Sequence, residues 1–239
     1  INDEISRCII KMLISEPFYA HFLSGIVRKV TDEVPTAAVG LNETKVTLYV
    51  NENFFLKELS TFSSRVAVIK HETLHLLFKH LFRLDLKKYD PKLFNISADL
   101  VVNQFIGKWK LPENAVTLSS FPELELAKDE SVEWYYKKIL DLKKKVDKNK
   151  SEKSDTKNNN SNNSFPDQSA KALEDILRSG THSDHSKWGF SEDSLKSEHA
   201  ETELDRLIVQ TKERLSSDQY NLLPIDIRNL INLIIDKRN

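Results

Sequence analysis

Residues 63–83 have the sequence SSRVAVIKHETLHLLFKHLFR, which contains the HExxH motif His71-Glu72-Thr73-Leu74-His75. The apolar residues on both sides of the motif predict one continuous helix. On a helix, two histidines four residues apart lie on the same face, close enough to bind one zinc ion. Glu72 points along the same side, where a carboxylate can accept a proton from a water molecule at the metal.

The helix that carries the motif is apolar around most of its circumference and is therefore expected to be buried. Two imidazoles and a carboxylate in a core must be compensated, and a zinc ion would provide that compensation. A pair of core histidines satisfied by hydrogen bonds is the alternative. His80 would lie about 180° from His71 on a continuous helix, so we expect it to have a structural role, such as bonding a neighbouring helix.

A third zinc ligand is needed, because a catalytic zinc site normally has three protein ligands and one open position. Residues 95–103 place Asn95, Asp99 and Asn103 one turn apart on one face of a predicted helix, with an apolar opposite side. Asp99 becomes a ligand if this helix folds back against the HExxH helix. A cap or a salt bridge with Arg83 is the alternative for Asp99.

A second candidate for this position lies in the polar segment 181–188, THSDHSKW. His185 could bind the metal, or it could lie beside it and donate a hydrogen bond to a tetrahedral oxyanion. Asp184 could orient either imidazole of the segment. The spacing of the residues does not decide between Asp99 and His185 as the third ligand, and the two histidines of this segment could also be exposed.

The rest of the chain predicts helices and one hairpin. Pro17 divides the helical pattern of residues 2–30 into two helices. Residues 46–50 alternate as a strand, with 37–40 as the partner strand across a turn at 42–44. Further helices are predicted over about 90–107, 132–146, 167–177, 192–215 and 225–235.

We expect one core domain at residues 1–146, a flexible insertion at 147–164, and a helical part of the same domain at 165–239. The insertion is rich in Lys, Asn and Ser and almost devoid of apolar residues, so it cannot bury enough surface to offset its ordering entropy. A basic tail that binds nucleic acid is the alternative for this tract, but acidic residues are interspersed among its lysines. The fold class is predicted as α+β, mostly α.

The composition narrows the class of function. The 35 basic and 36 acidic side chains nearly cancel, which favours neither nucleic acid nor an anionic membrane as a partner. Cys8 is the single cysteine, so a site built from several thiolates is excluded and a metal must use His, Asp or Glu. No apolar run is long enough to span a bilayer, and the first residues do not have the order of a signal peptide. We therefore expect a cytoplasmic protein.

The order of several blocks resembles the metallopeptidase domain that precedes a von Willebrand A-like domain in many bacterial proteins. The resemblance extends from about residue 5 to residue 235. The blocks are HETLHLLFKHLFR, NISADLVVNQFI, the pair Leu111-Pro112, the pair Pro17-Phe18, TLYVNENFF and DHSKW.

The resemblance implies a zincin-like, zinc-dependent hydrolase that cleaves peptide bonds. His71 and His75 would be zinc ligands, Asp99 the third ligand, and Glu72 the general base. His185 and other residues of the patterned blocks would support the site. In zincin-like folds an edge strand before the HExxH helix can pair with an extended substrate, and residues 46–50 are expected to provide it.

The resemblance also implies partners, because these domains are often paired with a MoxR-type AAA+ ATPase. Two other hypotheses stay open. The first is an inactive zinc scaffold that recruits partners for such an ATPase and a von Willebrand A-like domain. The second is a structural helical protein with no metal.

Overall fold

The computed structural model describes residues 1–155, 168–179, 188 and 194–237. These residues form ten α-helices and a three-stranded sheet, which confirms the predicted α+β class with mostly helical content. No helix among them is long and apolar enough to cross a membrane. The elements, in chain order, are α1 (Asn2–Ser15), α2 (Pro17–Ser24), β1 (Val27–Val30), β2 (Ala37–Asn42), β3 (Lys45–Val50), α3 (Phe62–Leu77), α4 (His80–Arg83), α5 (Pro91–Val102), α6 (Val132–Asp155), α7 (Gln168–Ser179), α8 (Ser194–Glu213), α9 (Ser217–Asn221) and α10 (Ile225–Asp236).

The chain divides into two compact units. The first comprises Ile1–Leu86, Phe105–Glu113 and His182–Asn239, and the second comprises Lys87–Gln104 and Asn114–Thr181. In the second unit α6 packs against both α5 and α7. Helix α6 extends to Asp155, so the tract 147–164 begins as helix, and its remaining residues 156–164 lie outside the described residues.

In the first unit, α3 is the central helix. Helices α1 and α2 and strand β2 pack against it, and its residues from Val66 to Leu77 are all buried. The helix begins at a cap in which the Thr61 side chain accepts a hydrogen bond from the Ser64 N–H. The predicted division of the first two helices at Pro17 is confirmed, since this proline opens α2, where its missing N–H is not needed.

The sheet has the order β1-β3-β2. The predicted hairpin is confirmed: β2 pairs antiparallel with β3, and Glu43 in the connecting turn has a positive φ of 57°. Strand β1 pairs parallel with β3 on the other side. The prediction that residues 46–50 form an edge strand is wrong, because residues 27–30, which the helical pattern had included, form a strand that covers that side of β3.

The predicted continuous helix over residues 63–83 is also wrong. Helix α3 ends at Leu77, and Lys79 adopts the left-handed conformation with φ 58° before α4 begins at His80. This conformation costs a lysine about 1 kcal/mol. The Lys79 ammonium bonds the carboxylates of Glu201 and Asp205 on α8, at 2.9 Å and 2.7 Å, and these ion pairs hold the reversal in place.

The side chain of Cys8 on α1 provides a test of this core. Burial raises the pKa of the thiol to about 12, so the reactive thiolate is scarce in the folded protein. We expect iodoacetamide at mildly alkaline pH to label the native protein at least about 100-fold more slowly than the urea-unfolded protein, as followed by mass spectrometry. Equal labelling rates in the two states would contradict the packing of α1.

Candidate metal centre

Helix α3 brings the two histidines of the HExxH motif together. The Nε2 atoms of His71 and His75 lie 2.8 Å apart, and the two side chains are 7% and 0% exposed. Two nitrogens that bind one tetrahedral zinc ion at about 2.05 Å lie about 3.3 Å apart, so a small rotation of either ring would accommodate an ion. The i, i+4 spacing thus gives the convergence that the sequence predicted.

The protonation state of His75 suits metal binding. Burial, together with the neighbouring imidazoles of His71 and His80, holds the pKa of His75 well below its usual value. The ring is therefore neutral near pH 7, which is the form that coordinates metals. A neutral imidazole carries one ring proton, so its other nitrogen has a lone pair that can bind a metal.

The carboxylate of the motif lies beside this pair. Glu72 is fully buried, and its Oε1 is 4.0 Å from Nε2 of His71. A carboxylate at this position can accept a proton from a water molecule beside the histidines. Its place on the helix between the two histidines is fixed by the backbone of α3.

The aspartate predicted as a third ligand is also buried. Asp99 lies on α5 and is 2% exposed. His71, His75 and Asp99 form a group that could hold a metal ion, since one ligand atom of each lies within 4.8 Å of the others. Two imidazole nitrogens and a carboxylate oxygen fit a divalent metal ion of borderline softness.

The other predicted site residues have different places. Asn95 is half-buried on α5, and Asn103 donates a hydrogen bond to the Val116 carbonyl, which closes the end of that helix. Trp188 is fully buried with its ring 4.8 Å from the ring of His75. His185 lies outside the described residues.

His80 makes a contact that the sequence did not predict. Its Nδ1 lies 2.9 Å from Nδ1 of His75, so the first residue of α4 bonds a histidine of the motif on α3. The continuous-helix assumption had placed it on the far side. The reversal at Lys79 brings it back.

A buried ion pair that anchors α3 was also missed. Lys70, only 1% exposed, donates to a carboxylate oxygen of Glu16 and to the Ile106 carbonyl, the latter at 3.2 Å. The indole N–H of Trp109 donates to the other oxygen of Glu16. Glu16 lies at the junction of α1 and α2, so this network fixes α3 one residue before His71. The sequence signal for this ion pair was the lysine that directly follows the apolar run VAVI.

The HExxH helix and the group of two histidines and an aspartate are typical of metal-dependent hydrolases. The chain belongs to the family described as "putative metallopeptidase domain", whose model matches residues 2–224. No curated protein and no solved structure shows significant similarity to the chain. The match confirms the resemblance to a metallopeptidase domain over nearly the whole chain.

The ion pair under the motif leads to a stability prediction. Lys70→Met leaves the half-buried Glu16 carboxylate without its cation, so we expect the free energy of unfolding to fall by about 3 kcal/mol in urea titrations. The double variant Lys70→Met/Glu16→Gln removes both charges and should lose clearly less. Equal stability of Lys70→Met and the wild type would show that the pair does not anchor α3.

Proposed function

We propose that this protein is a zinc-dependent hydrolase that cleaves peptide bonds. The observation that carries the proposal is the convergence of the His71 and His75 Nε2 atoms, 2.8 Å apart, beside the fully buried carboxylate of Glu72. Membership of the metallopeptidase-like family supports it. Two imidazoles and a carboxylate that are buried together need compensation, and a metal ion would provide it.

The ligands in the proposal are His71, His75 and Asp99. Three N and O donors suit zinc and leave one position open, as in catalytic rather than structural zinc sites. Zinc bound there supplies Lewis-acid activation of a water molecule and of the scissile carbonyl. The buried surroundings strengthen such electrostatic effects because water screens them less.

Glu72 is the general base in this proposal. Its carboxylate takes a proton from the attacking water and passes that proton to the leaving amine. The rigid backbone of α3 fixes Glu72 relative to both histidines, so no rearrangement is needed to bring the base to the site.

His185 is kept in the proposal as a donor to the tetrahedral oxyanion, a role compatible with an imidazole N–H. Trp188, three residues further along the chain, lies against His75. We expect His185→Ala to lower turnover without loss of metal. Loss of metal in that variant would instead make His185 a ligand.

The substrate backbone is proposed to pair with β2, the edge strand that packs on α3. The hydrogen bond from the Asn51 N–H to the Thr36 carbonyl sets the alternation along the hairpin. It follows that Ala38 and Gly40 direct their backbone groups to β3, whereas Val39 and Leu41 direct theirs to the other side of the strand. Val39 is fully buried there, so an extended peptide could bond these groups only after the strand is uncovered, and cleavage would then depend on main-chain contacts.

The base assignment is tested by Glu72→Gln. This isosteric change keeps the volume but removes the proton acceptor, so we expect zinc content to be unchanged and peptide cleavage to fall by at least about 100-fold. A diverse peptide library analysed by mass spectrometry supplies the substrate, and Glu133→Gln on α6 is a matched control. Undiminished cleavage by Glu72→Gln would reject the assignment.

The metal site is tested separately by elemental analysis of protein purified without added zinc. We expect about one zinc per chain, lost in His75→Ala and in Asp99→Ala, because two remaining ligands bind the ion weakly. Wild-type protein without metal would support the structural, metal-free alternative. Zinc-loaded protein that cleaves nothing would support the scaffold that works with an AAA+ ATPase.

A further inference from the structure

The feature that points beyond the proposed ligands is the chain reversal after α3. In an uninterrupted helix, His80 would point about 140° away from His75, five residues before it. The left-handed conformation of Lys79 instead turns the chain back. As a result, Nδ1 of His80 lies 2.9 Å from Nδ1 of His75, on the side opposite to the Nε2 that approaches His71.

The chemistry of two imidazoles limits what this contact can be. Two ring nitrogens at 2.9 Å form a hydrogen bond only if one carries a proton and the other does not. A neutral His75 that uses Nε2 for a metal must carry its single proton on Nδ1. It then donates to Nδ1 of His80, which must be the bare nitrogen of that ring.

The acceptor itself is held rigidly. The ring of His80 is fully buried and stacks on Phe78, with centroids 5.6 Å apart and planes inclined by 16°. The ring centroid of Trp188 lies 4.8 Å from that of His75 and 6.2 Å from that of His80. Helix α8 secures the turn itself through the ion pairs of Lys79 with Glu201 and Asp205.

We propose that His80 is the positioning residue of His75: it accepts the Nδ1 proton, fixes the tautomer and the ring orientation, and thereby directs Nε2 to the metal. The inference rests on the metal site of the proposed function. Removal of a group that bonds the second nitrogen of a histidine ligand commonly lowers metal affinity about 10- to 100-fold. Here a second histidine takes the place that a carboxylate or carbonyl often occupies.

The test compares two substitutions that differ in the acceptor. His80→Phe keeps an aromatic ring on Phe78 but removes the acceptor, whereas His80→Asn keeps an oxygen close to the position of Nδ1. We expect His80→Phe to weaken zinc binding about 10- to 100-fold in chelator competition. We expect His80→Asn to stay within about threefold of the wild type, since its amide oxygen can accept the proton.

The tautomer gives a readout that a merely structural role would not change. In the wild type, ¹⁵N NMR of the imidazoles should show the proton of His75 on Nδ1, and His80→Phe should lose this preference. Protonation of His75 on Nε2 in the zinc-loaded wild type would overturn the inference even if His80→Phe failed to fold. So would equal zinc affinity in His80→Phe and the wild type, or equal losses in both variants.

The zinc measurements distinguish failure of the positioning role from failure of the proposed function. Wild-type protein that binds no zinc contradicts the proposed function, and the positioning role falls with it. Wild-type protein that binds zinc while His80→Phe binds it equally well contradicts only the positioning role. Urea unfolding of each variant identifies any effect that comes from lost stability.

Discussion

The burial of polar groups on an almost wholly apolar helix is the constraint on which the rest of this structure depends. Helix α3 has core on nearly every side, yet it carries a lysine, two histidines and a glutamate in four of six consecutive positions. Each of these groups loses its hydration when the chain folds. Neighbouring side chains replace hydrogen bonds and charge interactions that water provides to these groups in the unfolded chain.

The compensation differs on two sides of the helix. Lys70 meets the carboxylate of Glu16, and this carboxylate is shared with the indole of Trp109. His75 meets an imidazole at each of its ring nitrogens, one from His71 and one from His80. The first is a charge pair that anchors the helix. The second is a chain of neutral donors and acceptors, which leaves Nε2 of His75 available to a cation without placing a charge on the ring.

Local pattern in the sequence was sufficient for much of the fold and for the convergence of the two histidines of the motif. The i, i+4 spacing of His71 and His75, the break at Pro17 and the hairpin turn before Lys45 are all local signals, and each predicted the observed geometry. The features that were missed depend on distant parts of the chain. Lys79 adopts a backbone conformation that glycine favours, and acidic residues more than 120 positions later in the chain hold it there. Residues 27–30 form a strand because they pair with β3.

The burial of β2 has a consequence for the behaviour of the protein in solution. Val39 directs its backbone groups away from β3, yet it is fully buried, so this edge of the sheet is covered. Covering an edge strand is one way in which proteins keep it from pairing with the same strand of another molecule. Any extended chain, whether a peptide or a second copy, would therefore have to uncover this six-residue strand before pairing with it.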